Sequence, residues 1–109
     1  MFSKMRDDEL HAMRIRKLQA DIAESRRAGI DVRFMHMSAL APDSRPTHVA
    51  RHGELFTGEE MLSWWSADGN GKGCRCSCTP VLVDTHGEVL TPGLIDRAKA
   101  MLKNYKPAP

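Results

Sequence analysis

Three cysteines crowd into five residues, Cys74-Arg75-Cys76-Ser77-Cys78, and two histidines, His48 and His52, stand four apart upstream. Thiolate and imidazole are the donor mix that zinc prefers. Cysteines two apart on an extended strand point the same way, but a bridge between such neighbours is strained. The crowding therefore suits a metal better than a disulfide framework. The stretch from Asp43 to Cys78 organises the chain, and the rest reads as a scaffold around it.

With 109 residues, 41% of them hydrophobic, the chain has room for one small domain. A core of that size is modest, so a metal staple would matter to stability. The formal net charge of +2 is too balanced to argue for nucleic acid by bulk electrostatics. Basic clusters at Arg14, Arg16, Lys17 and at Arg26, Arg27 are interleaved with acids and read as solvated helix face. No apolar run approaches the roughly 20 residues of a membrane helix. The start, Met1 to Asp8, lacks the apolar core of a signal peptide. A reducing cytoplasm is the expected compartment.

The pattern predicts an α+β fold in a single small domain. A proline- and glycine-free segment from Lys4 to Arg27 reads as an amphipathic helix, with Leu10, Met13, Leu18 and Ile22 along one stripe and Gly29 as its stop. It packs on the domain or serves as a docking arm. Ile30 to Met37 alternates like a strand and carries His36. Pro46 suits the first position of a short helix over Thr47 to His52, closed by Gly53. Leu55 and Phe56 belong to the core. Thr57 and Glu60 form a capping-box pattern ahead of a helix bearing Met61, Leu62, Trp64 and Trp65. Ser66 to Gly73 is a flexible connector without phosphate-loop spacing. Thr79 to Asp84 is a second strand, Thr85 to Glu88 a turn with a solvated His86, and Val89-Leu90 a short returning strand. Thr91 caps and Pro92 starts a C-terminal helix with Leu94, Ile95, Ala98, Met101 and Leu102 on its apolar face. The domain division is 1–29 for the first helix, 30–105 for the body and 106–109 for a frayed tail.

Residues four apart on a helix share a face, so His48 and His52 would offer two imidazoles to one metal. The residue after His48 is Val49, so the general base of the zinc-protease motif is missing and that reading is rejected. With Cys74 and Cys76 the histidines make a closed two-histidine, two-cysteine site, which is structural. The one-residue gap between the cysteines is tighter than in zinc fingers. An open site would need water and a base, for which Glu54, Glu59 and Glu60 are equal candidates.

Asp43-Ser44-Arg45-Pro46-Thr47-His48 with Gly53 and Phe56, followed by Cys74-Arg75-Cys76 and Thr79-Pro80-Val81, resembles the C-terminal domain of the phage Mu protein F-like family. Members are minor head, or head morphogenesis, proteins of tailed phages and prophages. The resemblance covers about Val32 to Val83 and marks Asp43, Arg45, His48, Gly53, Cys74 and Cys76. His52 carries over poorly, so Asp43, Cys78, His36 or water stand as alternates for the fourth ligand. Family members are usually longer, with a helical N-terminal region that engages the portal; here one helix precedes the domain.

The resemblance implies a non-enzymatic head module with a structural zinc. It would bind portal or capsid proteins, or DNA, in the host cytoplasm during assembly and then in the virion. Arg45, Arg51, Arg75, Trp64 and Trp65 are the candidate contacts for a partner or nucleic acid; neither a membrane nor a small-molecule substrate is expected. Two alternatives stay open: a small metal-dependent nuclease or hydrolase, with arginines as phosphate clamp, and a zinc-stabilised nucleic-acid-binding module.

Overall fold

Strand β1, Val32–Met37, lies in the middle of a three-stranded antiparallel sheet, between β2, Leu55–Phe56, and β3, Ser77–Leu82. This is seen in a computed structural model that describes residues 6–108. The expected helix start at Lys4 and the terminal Pro109 lie outside the described residues. The register sets Phe34 opposite both Phe56 and Pro80, and His36 opposite Cys78.

A middle strand is covered on both faces, so the expected alternation becomes a run of buried side chains, Phe34, Met35 and His36. Phe34 joins Leu18, Met61, Trp65, Cys74 and Cys76 in the larger core cluster, beneath helices α1, Asp7–Ala28, and α3, Gly58–Ser66. Met35 faces the other way and packs with Val81 and with Ala98 of α4, Pro92–Lys103. The result is a small α+β fold of three layers.

Helix α1 carries Asp7, Asp8 and Glu9 in its first turn and Arg26 and Arg27 in its last, each complementing the local end of the dipole. Gly29 adopts φ 67°, and the N–H groups of Gly29 and Ile30 close onto the carbonyls of Arg26 and Ser25. The buried stripe is rotated from the expected one. Met13 is 43% exposed, whereas Arg14 is 9% exposed and sits beside Leu18 on the inner face. The solvated-face reading of Arg14 is therefore corrected; it finds partners that local sequence does not reveal.

The capping box of α3 forms as expected. Glu60 N–H donates to Thr57 Oγ1 and Thr57 N–H to Glu60 Oε1. Helix α4 starts at Pro92, but the Thr91 side chain caps nothing. Strand β3 begins at Ser77, two residues early, because the β1 partner runs on to Met37. The expected strand at Val89-Leu90 is reduced to one bridge between Val83 and Val89. At the C-terminal end Tyr105 O–H donates to the Ala41 carbonyl and Ala108 N–H to the Pro42 carbonyl. Among the described residues, no helix is long and apolar enough to cross a membrane.

Candidate metal centre

Helix α2 spans only Pro46–Val49. Beyond it the chain tightens, with Arg51 N–H donating to the His48 carbonyl and His52 N–H to that of Val49. These three-residue closures turn His52 off the face that an α-helix would share with His48. Gly53 ends the turn at φ 81°, and a side chain there would press on Ala98 and Lys99. His48 points into the core on one side of the turn. His52, on the other, accepts a hydrogen bond at Nδ1 from Ser38 N–H at 3.0 Å. The paired-imidazole expectation is thus corrected by the shortness of the helix.

The structure instead gathers His48, Cys74 and Cys76. All three are buried, and each offers a ligand atom within 4.8 Å of the others. His48 Nδ1 lies 3.5 Å from Cys76 Sγ. A tetrahedral zinc, with bonds of about 2.3 Å to sulfur and about 2.05 Å to nitrogen, separates such donors by about 3.6 Å. The His48–Cys76 spacing matches that figure, and this buried group can hold a metal ion. His48 and Cys76 are 28 residues apart in sequence, so a metal here would cross-link α2 to the segment entering β3.

The alternates lie elsewhere in the fold. Cys78 packs at the edge of the larger core cluster and lines a separate hollow beneath α1; burial pushes its thiol up to about 11. His36 is fully buried, and its Nδ1 accepts from Arg51 Nε at 3.2 Å. Asp43 borders the cavity on which the three donors open, without belonging to the donor group itself. Glu54, Glu59 and Glu60 are not among the residues lining that cavity.

A hydrogen bond from the Cys76 thiol holds Cys74 well below the usual thiol range, against the cost of burial, and the Cys76 N–H at 3.2 Å adds to it. The same bond, with burial, pushes Cys76 up. Arg14 favours the thiolate of both. Its Nη1 donates to the carbonyls of Cys74 at 2.6 Å and Cys76 at 2.7 Å and lies 4.0 Å from Cys74 Sγ. The sequence signal for this residue was its spacing, four before Leu18.

The candidate partner contacts are largely occupied within the fold. Arg45 donates to the carbonyls of Gly69 (3.1 Å) and Lys72, clamping the connector that was expected to be flexible. Arg45 Nη1 also lies 3.4 Å from His48 Nε2. Arg51 is stacked between Phe56 and Trp64, 3.8 and 4.0 Å from the ring centres. Trp65 is 2% exposed. Trp64 is half-buried, with His36 and His48 set edge-on to it at 4.9 and 4.8 Å between ring centres. Only Arg75 of this group is exposed and without a hydrogen-bond partner among the described residues. No family model, curated protein or solved structure matches this chain.

Proposed function

We propose that this chain is a non-enzymatic structural module of a tailed-phage or prophage head, with a zinc ion held by His48, Cys74 and Cys76. The observation that carries the reading is convergence. The two sequence motifs behind the phage Mu protein F-like resemblance, one holding His48 and the other Cys74 and Cys76, supply the three members of a single buried donor group. Thiolate and imidazole together favour zinc over harder cations. A metal at this point ties α2 to β3 and stabilises a domain whose own core is small.

The three glutamates that the sequence offered as general base are spent or remote, which favours a structural role over hydrolysis. Glu60 closes the capping box, and Glu54 and Glu59 stand exposed away from the donors. The chain's partner in this reading is the portal or capsid of the head. The test is mixing with recombinant portal oligomers from a tailed phage whose genome carries this chain, followed by size exclusion. Co-elution that is lost after chelation supports the reading; independent elution with and without metal contradicts the head role.

A further inference from the structure

We infer that the metal held by His48, Cys74 and Cys76 keeps its fourth position open to the adjoining cavity and takes a small oxyanion there. The inference rests on the metal reading above. The cavity has a volume of about 120 Å³ and is walled by the three donors together with Ser38, Asp43, Ser44, Arg45 and Arg75. A water molecule's share of liquid is about 30 Å³, so the space suits a phosphate- or carboxylate-sized group and not a nucleotide.

Its wall is rich in donors. Ser38 Oγ accepts from Leu40 N–H, and Ser44 Oγ accepts from Ala41 N–H, which leaves each hydroxyl proton free to be donated. Arg75 is exposed at the rim. A metal on His48 Nδ1 leaves the ring proton on Nε2, while Arg45, held by the carbonyls of Gly69 and Lys72, keeps its charge at the cavity wall. A divalent cation with two thiolates is neutral as a unit. Two guanidinium groups against the one carboxylate of Asp43 then leave the rim positive, which favours an anion.

The experiment uses the full chain loaded with cobalt(II) and titrated with inorganic phosphate while its visible absorption is followed. Phosphate should move the d–d bands saturably without abolishing the thiolate-to-cobalt charge-transfer band. Combined Arg75→Ala and Ser44→Ala should weaken that response at least ~10-fold, and Asp43→Asn should leave it intact or strengthen it. Bands that ignore phosphate, or that shift in Asp43→Asn before any phosphate is added, overturn the inference, because Asp43 then fills the position. Absence of the charge-transfer band in the unaltered chain overturns the metal reading itself, a distinct result.

Discussion

Arg14 Nη1 lies 2.6 Å from the carbonyl oxygen of Cys74, sixty residues along the chain. The same nitrogen bonds the Cys76 carbonyl. The guanidinium packs 5.3 Å from the centre of the Trp65 ring, and no carboxylate pairs with it among the described residues. A buried cation without an acid needs another counter-charge, and the adjacent cysteine sulfurs are the groups able to supply it. Replacing Arg14 with Met keeps much of the volume and removes both bonds. The variant should lose about 2–4 kcal/mol of stability by urea denaturation and bind zinc more weakly in competition with a chromophoric chelator. Unchanged zinc affinity would show that Arg14 only packs.

His36 gives the fold an acid-sensitive point. Burial, reinforced by the charge of Arg51, lowers its pKa to about 3. Arg51 Nε donates to Nδ1, so the ring is neutral with its proton on Nε2. The unfolded histidine titrates near 6.5, so between the two values the unfolded chain binds more protons. Stability from this group is complete above about pH 6.5 and falls by about 1.4 kcal/mol per pH unit below it. His36→Gln, which retains an acceptor for Arg51, should flatten the dependence of the urea midpoint between pH 7 and pH 5. Equal slopes in the two proteins would assign the acid sensitivity elsewhere.

Arg51 tests shape against charge. Its planar group fills the slot between Phe56 and Trp64 and reaches Met61 Sδ at 3.3 Å. Lysine keeps the charge but cannot stack on two rings at once. Arg51→Lys should cost about 1–2 kcal/mol, with a shift in tryptophan fluorescence as Trp64 is uncovered. A neutral result would reduce the stack to surface charge.

Gly58 seats α3 against the Ile22 side chain of α1. A methyl group there would overlap the Ile22 side chain and touch Phe34. Gly58→Ala should destabilise by about 1–3 kcal/mol, and Ile22→Ala in the same chain should recover part of the loss. Thermal melts of the single and double variants measure it; additive losses would mean that the two sites are not in contact.

Local signals in the sequence were sufficient for much of this fold. Thr57 and Glu60 form a cap from residues three apart, Gly29 closes α1, and Pro46 and Pro92 begin helices, all decided within one turn of chain. Signals that depend on distant packing were not legible. Arg14 reads as surface charge until Cys74 and Cys76 arrive from the far end of the chain. His52 reads as the partner of His48 only if the helix continues, and it ends at Val49. His48, Cys74 and Cys76 were legible as donors because their chemistry survives any backbone detail; which three converge was decided by the fold.

The most direct test is the metal content of the full chain purified without added metal, set beside Cys76→Ser and followed by thermal melts of both. The account predicts about one zinc per chain, lost in the variant together with a large drop in Tm. Chain without metal, and a variant that melts at the same temperature as the parent, would contradict it and leave His48, Cys74 and Cys76 as ordinary members of the core.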